Sequence, residues 1–369
     1  MNRRRAAEFF AGIGLVRMGL ERAGWKVVFA NDIDPVKFTI YRDNFGDRDF
    51  FLGDIRKVRA EIVPNVALAT ASFPCIDLSL AGNRGGLNGV HSSAYWEFHR
   101  VIEEMRDRRP SAILLENVVG LLSSNAGEDL RSIVASLGKL EYVCDLLVVD
   151  AAHFVPQSRP RLFVVGSLRG QPNRLSDLSP HEARPRQVAE FIYEHHDLQW
   201  GHAILRPLPP KKRDLHRVME RLKDTAPEWW DKRRRAHLFS QMSALHRSGL
   251  LRLIRSKRIA FATVYKRVRP SGCRAEIRAD GLAGCLRTPR GGSSKQFVIQ
   301  AGRGKWRVRN MTAREYARLQ GVPDSYKISV PYTQALLGFG DAVCVPVIEW
   351  IARHYLNRIV PNTPAAPQR

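Results

Sequence analysis

The sequence is poor in cysteine, in acidic residues and in long apolar runs. Its 369 residues include five cysteines, and none of them forms a Cys-x-x-Cys pair. We therefore expect neither a disulfide framework nor a metal site. No apolar run approaches the roughly 18 residues of a membrane span. The apolar stretch after the arginines at 3–5 is interrupted by Glu8 and ended by Arg17, which is unlike a signal peptide, so we expect a cytoplasmic protein.

The shortage of acidic residues leaves a formal net charge of +23 and a pI near 10.4. Almost all of this charge lies in residues 201–310, which contain 28 Lys and Arg but seven Asp and Glu, a net charge of +21. A single run of basic residues is often a solvated surface. One strongly basic segment in an otherwise nearly neutral chain predicts a polyanionic partner, and nucleic acid is the leading candidate.

The first 170 residues alternate short apolar runs with helical patterns, which predicts a doubly wound α/β sheet. After residue 167 the sequence becomes Pro-rich and charged, and we expect regular structure to return only near Thr312. We therefore predict one domain at 1–171 plus 330–369 and a smaller, irregular, basic domain at 172–329. Predicted strands span residues 6–11, 27–31, 66–71, 112–116, 142–149 and 161–167, and predicted helices span 15–23, 36–44, 95–106, 130–137, 313–319 and 333–355.

The first predicted strand ends in a Gly-x-Gly turn, Gly12 to Gly14, that opens a helix. Such a turn lets the backbone approach a ligand, and an acidic residue about 20 positions on, Asp32, can hold ribose hydroxyls. Arg17 stands where a dinucleotide site would have a third glycine, which favours a nucleoside ligand such as S-adenosylmethionine. Asp54 follows a predicted third strand and is a candidate acceptor for an adenine amino group. A tight turn and an ordinary turn residue are the structural alternatives.

Cys75 follows Pro74 directly after the strand predicted at 66–71. Loops at the carboxyl ends of sheet strands carry reactive groups, and a thiolate is the best side-chain nucleophile. A lone cysteine is more often a small buried apolar residue. The restraint from Pro74 and the glycine-rich loop around Arg84, which is suited to closing over a substrate, favour the nucleophile.

Polar residues also flank two further predicted strands. Glu116 ends a buried strand after three large apolar residues, where a carboxylate is costly unless it is paired or functional. Gln157-x-Arg159-x-Arg161 precedes another strand, and its arginines would project on the same side of an extended chain to grip a phosphate or a base carbonyl. The alternatives are a helix cap for Glu116 and ordinary exposed arginines at a strand entry.

Together these motifs resemble the DNA (cytosine-5)-methyltransferases. The family's order is kept by the glycine turn after Phe9, by Phe73-Pro74-Cys75, by Glu116-Asn117-Val118 and by the Gln157 motif. Residues 309–326 and 340–343 extend the resemblance, which covers roughly 6–170 and 307–352. It implies a Rossmann-like fold dependent on S-adenosylmethionine, with the basic segment as the target-recognition domain.

The resemblance implies methylation of carbon 5 of cytosine in a specific duplex DNA sequence, after the base has flipped out of the duplex. Cys75 is then the nucleophile that adds to carbon 6, Glu116 contacts ring nitrogen 3, and Arg161 assists at the base. Arg159 is expected to contact the backbone or a residue behind the site. No metal is required. The residues expected at the donor are Phe9, Gly12, Gly14, Asp32, Ile33, Asp54, Pro74, Asp341 and Val343, and those expected at DNA are Arg84, Arg267, Arg269, Arg287, Arg290, Ser293 and Lys295.

The sequence departs from the family near the C-terminus, where Gly-Asn-Ser-Val is replaced by Gly340-Asp341-Ala342-Val343. We expect Asp341 to weaken donor binding. Three alternatives stay open: a tRNA cytosine-5 methyltransferase, a DNA-binding homologue with weakened catalysis, and, more distantly, a nicotinamide oxidoreductase. The family implies a bacterial restriction-modification or phage-defence setting, and one active site per chain is compatible with a monomer.

Overall fold

The computed structural model describes residues 4–74, 93–168, 170, 178, 181–269, 272–288 and 295–361, with only the backbone for Ser93 and Arg269. Cys75, Arg84, Arg290 and Ser293 lie outside the described residues. The chain divides into two compact units. Unit 1 comprises Met1–Asp150, Pro160–Leu208 and Val347–Arg369, and unit 2 comprises Ala151–Arg159 and Pro209–Pro346.

Unit 1 is built on a seven-stranded mixed sheet with the order β3-β2-β1-β4-β5-β7-β6. Strands β1 to β5 run parallel, and β7 runs antiparallel to both β5 and β6. Every residue of β4 is buried, as expected for a strand covered on both faces. The strands are β1 (Arg5–Phe9), β2 (Lys26–Asp32), β3 (Phe50–Leu52), β4 (Leu68–Ala71), β5 (Ala112–Val118), β6 (Val143–Asp150) and β7 (Pro160–Ser167).

The helices of unit 1 follow the predicted alternation with the strands. Helix α2 begins where the Asp34 carboxylate accepts a hydrogen bond from the Val36 amide at 2.8 Å, and Pro35 occupies its first turn. The helices are α1 (Leu15–Arg22), α2 (Pro35–Phe45), α3 (Ser93–Glu104), α4 (Glu128–Lys139) and α5 (Arg186–Glu194). The six predicted strands and the first four predicted helices are confirmed to within a few residues, whereas the antiparallel direction of β7 was not predicted.

A buried ion pair fastens later chain segments to strand β6. Asp145 and Arg184 are both buried, and the guanidinium donates to both carboxylate oxygens. Tyr355 donates its hydroxyl to the same carboxylate at 3.0 Å, and the Ala203 amide donates to it at 3.3 Å. Several hydrogen bonds to one carboxylate offset the cost of burying it. This network ties Arg184 and Ala203 to β6 within unit 1, which includes the described residues from 181 to 208.

Unit 2 contains a four-stranded antiparallel sheet with the order β11-β10-β8-β9. Its apolar core includes Trp230, whose ring meets Phe297 edge-on at 4.8 Å, together with Leu238 and Leu250 from two helices. The elements are α6 (Lys232–Ser240), α7 (Ala244–Arg255), β8 (Ala260–Arg269), β9 (Gly272–Arg278), β10 (Gln296–Gly302), β11 (Lys305–Asn310), α8 (Ala313–Leu319) and α9 (Tyr332–Asp341). Helix α10 (Val345–Ile351) crosses the boundary between the units, and a π-helical turn (Ala352–Leu356) and α11 (Asn357–Ile359) follow it.

The expectation that regular structure returns only near Thr312 is wrong. Two helices and four strands precede that residue in the described part of unit 2. They were missed because strands such as β8 mix apolar residues with lysine and arginine and so lack a clear apolar periodicity. The two compact units also divide the chain differently from the predicted domain limits. Residues 172–208 belong to unit 1, and residues 330–346 belong to unit 2.

Among the described residues, one helical stretch, Tyr332–Ile359, is long and apolar enough to cross a membrane by length and composition. This corrects the expectation that no stretch approaches that length. The most apolar window of the stretch is 72% buried within the protein, and helix α9 ends at Asp341 before α10 begins at Val345. Burial of this extent is typical of a helix in a protein core, and the break divides the stretch into shorter helices.

We predict that Asp145→Ala lowers the free energy of unfolding by about 3–5 kcal/mol, because it leaves the buried Arg184 guanidinium without its carboxylate. Urea denaturation measures this change. The matched control is Glu190→Ala, which breaks the exposed pair with Arg186 and should cost less than about 0.5 kcal/mol. Equal effects of the two substitutions would contradict the role assigned to the buried network.

Candidate active site

The loop after β1 and the end of β2 form one polar corner at the carboxyl edge of the unit 1 sheet. The Asp32 carboxylate accepts hydrogen bonds from the Gly12 amide at 2.7 Å and from the Asp34 amide at 2.9 Å. Asp32 is buried, and desolvation raises the pKa of its carboxyl group. The structure thus brings together Gly12 and Asp32, which the sequence had paired by their spacing.

Both the backbone conformation and the neighbouring aromatic rings require glycine at position 14. Its φ of +79° is in the left-handed region, and a Cβ atom there would lie 2.4 Å from the Phe45 ring and 2.9 Å from Tyr41. At Gly12, by contrast, a Cβ atom would meet nothing within 4 Å, so the loop backbone faces open space there. The loop therefore leaves room beside the Asp32 carboxylate for a ligand.

Phe9 does not face this loop. Its ring is buried and packs edge-on against Phe98 at 5.2 Å and against Phe29 at 5.5 Å. The Phe9 ring belongs to the core because β1 is a central strand that is buried on both faces. This position of the ring does not support the predicted role of Phe9 in cradling the donor. Phe10, with a φ of +57°, is the partly exposed residue at the start of the loop.

Strands β2 and β3 present an apolar surface and a carboxylate at the same edge. Ile33 is 64% exposed, which is unusual for a large apolar residue beside a buried strand. The Asn31 side chain, which the sequence analysis missed, donates to the carbonyls of Phe51 and Gly53 and so fixes the turn that carries Asp54. Asp54 itself pairs with Arg56, which holds the pKa of the Asp54 carboxyl below its usual value.

These features fit the adenosine part of S-adenosylmethionine. A bound adenosine would find an exposed apolar side chain at Ile33 for its ring, carboxylates at Asp32 and Asp54 for its hydroxyl and amino groups, and open backbone at Gly12. No group of three or more His, Cys, Asp or Glu side chains suited to a metal ion occurs among the described residues.

A second polar group lies where β5 meets β7. Glu116 is opposite Phe163 in this antiparallel pair, so Arg161 is its diagonal neighbour. The Arg161 Nε lies 3.1 Å from the Glu116 Oε1, and both side chains are largely buried. Glu116 is therefore a paired strand residue, and the helix cap considered from the sequence is not its role.

The neighbouring strand β4 leads directly to Pro74. Ala71 pairs with Leu115, so the carboxyl ends of β4 and β5 are side by side. Phe73 is buried against Tyr95 at 5.4 Å, and its carbonyl accepts a hydrogen bond from Asn117 at 3.5 Å. Pro74 is exposed. Cys75, the next residue, lies outside the described part of the chain.

Arg159 contacts main-chain carbonyls, and the prediction that Arg159 and Arg161 project from the same side of an extended chain is wrong. Arg159 is buried in unit 2 and donates to the carbonyls of Leu286 at 2.6 Å and Ala342 at 2.7 Å. The chain is not a regular strand before Pro160, so the spacing of two residues does not put both arginines on one side. Arg159 is a structural donor to main-chain carbonyls.

The other residues expected at the donor lie near the end of α9 in unit 2. Asp341 is exposed, and Val343 is buried. The residues expected at DNA are also in unit 2 where they are described. Arg267 is exposed and pairs with Glu276 at 3.2 Å, Arg287 is exposed, Lys295 is half-buried, and Arg269 is the last residue of β8.

Part of the basic charge of unit 2 is used within the unit. Arg309 and Glu315 form a fully buried ion pair, and Glu315 also completes a capping box with Thr312. The Arg234 guanidinium lies 3.9 Å from the centre of the Trp230 ring. The charge count of residues 201–310 therefore overstates the number of basic groups available to a polyanion.

Glu8 is a buried carboxyl group in β1 that the sequence analysis did not assign to the site. Burial raises its pKa to about 8, although the nearby Arg17 acts in the opposite direction. Arg17 is itself held by the Tyr41 hydroxyl at 2.9 Å and by Glu21 at 2.8 Å. A glutamate within an apolar strand, four residues before Gly12, was the available signal.

Comparison with known proteins gives a consistent result. The C-5 cytosine-specific DNA methylase family matches residues 4–357. The type II methyltransferase M.DsaV of Dactylococcopsis salina is 30% identical over 95% of this chain and 86% of its own length. The type II methyltransferase M.NgoBI of Neisseria gonorrhoeae is 27% identical over 93% of this chain and 90% of its own length.

Solved structures share the fold at lower identity. The Dnmt2 methyltransferase of S. pombe superposes with a TM-score of 0.60 at 18% identity, over 97% of this chain and 98% of its own. A putative DNA modification methyltransferase encoded within an E. coli prophage gives a TM-score of 0.56 at 20% identity, over 96% of this chain and 98% of its own. These similarities confirm the predicted fold class.

We predict that Glu8→Gln stabilises the protein at pH 8 but much less at pH 5. Between its unfolded pKa near 4.5 and its folded pKa of about 8, the carboxyl group is ionised only in the unfolded chain, so the parent loses stability as the pH rises. The variant has no such group, and its advantage should grow by about 2 kcal/mol or more across this range. Urea denaturation at several pH values measures it, with Glu21→Gln as the control. The same pH dependence of stability in parent and variant would disprove the raised pKa of Glu8.

Proposed function

The chain belongs to the C-5 cytosine-specific DNA methylases and is a DNA (cytosine-5)-methyltransferase, and from this premise we propose that it methylates a specific duplex sequence through Cys75. The observation that carries the proposal is the Glu116–Arg161 pair, which lies at the carboxyl end of β5 and the amino end of β7, beside the strand that leads to Cys75. Its relatives are named type II methyltransferases, and we propose that this protein acts as a monomer in the cytoplasm, in a restriction-modification or phage-defence system.

The donor is proposed to bind at the β1–β2–β3 edge. Gly12 and Gly14 shape the loop, Asp32 accepts from the ribose hydroxyls, Ile33 packs on the adenine, and Asp54 accepts from the adenine amino group. Bound there, S-adenosylmethionine supplies an electrophilic methyl group. Pro74, Asp341 and Val343 complete the proposed set, and Asp341 is expected to weaken binding relative to the family's asparagine.

In the proposed reaction the Cys75 thiolate adds to carbon 6 of the cytosine. Glu116 donates a hydrogen bond or proton at ring nitrogen 3, and Arg161 both orients Glu116 and contacts the base. The electron density gained at carbon 5 forms the new bond to the methyl group, while the donor sulfur keeps the electron pair of the broken bond. Loss of the carbon 5 proton to a base then expels the Cys75 thiolate. No metal takes part in these steps.

Unit 2 is proposed to recognise DNA. The target cytosine must leave the duplex to reach the thiolate, which costs a few kcal/mol that protein–DNA contacts offset. Arg267, Arg269, Arg287, Arg290, Ser293 and Lys295 are the proposed contacts of this unit, and Arg84 is the proposed contact of the loop after Cys75. Phosphate contacts among them fix the position, and base contacts fix the sequence.

We predict that labelled S-adenosylmethionine transfers its methyl group to duplex DNA and not to tRNA. Cys75→Ala should reduce transfer to the assay background and leave DNA binding largely intact, because the substitution removes only the nucleophile. Cys273→Ala is the matched control and should retain transfer. Label in tRNA alone would favour the RNA methyltransferase, DNA binding without transfer by the parent would favour a weakened homologue, and turnover by Cys75→Ala would remove Cys75 from the mechanism.

We also predict that Ile33→Ala weakens S-adenosylhomocysteine binding roughly tenfold in the absence of DNA, because it removes apolar area that the adenine would bury. Isothermal titration calorimetry measures the dissociation constant. Ile204→Ala is the control, since Ile204 is 88% exposed in the same unit and has no proposed contact with the donor. Equal affinity in both variants would place the adenine elsewhere.

A further inference from the structure

Four buried polar side chains join separate segments of unit 2. Gln157, Arg159 and Gln320 are at most 2% exposed, and Gln296 is 4% exposed. Gln157 donates to the Leu319 carbonyl at 2.7 Å, and Gln320 donates to the Phe339 carbonyl at 2.7 Å. Buried amides and guanidinium groups are costly unless they are hydrogen-bonded, so their partners fix the segments they touch.

Leu286 is held at both of its main-chain groups. Its amide donates to the Gln157 Oε1 at 3.0 Å, and its carbonyl accepts from Arg159 at 2.6 Å. The preceding residue is held as well, because the Cys285 carbonyl accepts from the Gln296 side chain at 3.1 Å. Arg287 follows Leu286 directly, and Lys295 precedes Gln296 directly. Two of the proposed DNA contacts are thus adjacent to residues that this network fixes.

Gly340 contacts both Arg159 and the backbone that follows Leu286. Arg159 donates to the Gly340 carbonyl at 3.0 Å. A Cβ atom on Gly340 would lie 2.7 Å from the carbonyl carbon of Arg287 and 2.7 Å from the Thr288 amide nitrogen. Backbone lies against backbone at this point, so any larger residue at position 340 must displace residues 287 and 288.

We propose that Gln157, Arg159, Gln296 and Gly340 form a clamp that positions Arg287 and Lys295 for sequence discrimination. The four clamp residues are positioning residues: they hold the backbone beside Arg287 and Lys295 and need not touch DNA or the base. Discrimination depends on placing donors to within a fraction of an ångström of base edges, which a mobile segment cannot do. This inference rests on the proposed function of Arg287 and Lys295 as DNA contacts.

Two variants test the clamp. Gly340→Ala displaces residues 287 and 288 without removing any charge. Arg159→Lys keeps the charge, but a single ammonium cannot span the carbonyls of Leu286 and Ala342 as the planar guanidinium does. Gly249→Ala is the matched control, because a Cβ atom at Gly249 in α7 would meet its nearest neighbour, Ile277, at an ordinary 3.8 Å.

The first measurement is hydrogen–deuterium exchange of peptides covering residues 283–288 and 295–298. We expect at least tenfold faster exchange in both clamp variants and no change in the control. Unchanged exchange in both clamp variants would overturn the clamp. If Gly340→Ala or Arg159→Lys does not fold, Gln296→Met removes only the hydrogen bond to Cys285 and should accelerate exchange in the same peptides.

The second measurement is the ratio of kcat/KM for the recognised sequence to that for a sequence with one base pair changed. We expect the clamp variants to lower this ratio at least tenfold. The dissociation constant for S-adenosylhomocysteine is compared for Gln296→Met, whose hydrogen bond to Cys285 lies outside the proposed donor set, and should stay within twofold of the parent. A merely structural defect would lower kcat/KM for both sequences equally and leave the ratio unchanged. An unchanged ratio would overturn the proposal that the clamp acts in sequence discrimination. If the parent itself does not methylate DNA, the proposed function fails, while the exchange measurement still decides whether the clamp exists.

Discussion

The register of β4, β5 and β7 is the constraint on which the proposed active site depends. Because β4 and β5 are parallel and paired at Ala71 and Leu115, their polar continuations emerge side by side. Because β7 runs antiparallel to β5, Arg161 becomes a diagonal neighbour of Glu116. A shift of one residue in the β5–β7 pairing would turn Glu116 to the opposite face of the sheet relative to Arg161 and separate the two side chains.

Burial of polar groups organises the rest of the molecule. In unit 1, the Asp145 carboxylate accepts hydrogen bonds from Arg184, Tyr355 and the Ala203 amide. These bonds hold segments that are distant in sequence at the edge strand β6. In unit 2, Arg309 pairs with Glu315, and Arg159 satisfies main-chain carbonyls. Such groups add specificity to the fold because each has few arrangements that satisfy it. They also explain why a net charge read from the sequence is not a count of DNA contacts.

Much of unit 1 was predictable from the sequence. Apolar runs located its strands, and the spacing from Gly12 to Asp32 predicted a contact that the structure contains. The direction of β7 was not predictable, because hydrophobic periodicity carries no information on strand direction. The surroundings of Phe9 and Arg159 were not predictable from motif spacing. Phe9 lies in a central strand that is buried on both faces, and Arg159 precedes β7 and donates to main-chain carbonyls of unit 2.

The central claim is that Cys75 attacks carbon 6 of a cytosine in duplex DNA. Incubation with S-adenosylmethionine and a duplex carrying 5-fluorocytosine at the methylated position tests it most directly, because fluorine replaces the carbon 5 proton whose loss releases the enzyme. The account predicts a covalent protein–DNA adduct by intact mass, one that carries the transferred methyl group and maps to the peptide containing Cys75. The absence of an adduct from an enzyme that methylates the unmodified duplex, or an adduct at another residue, would contradict it.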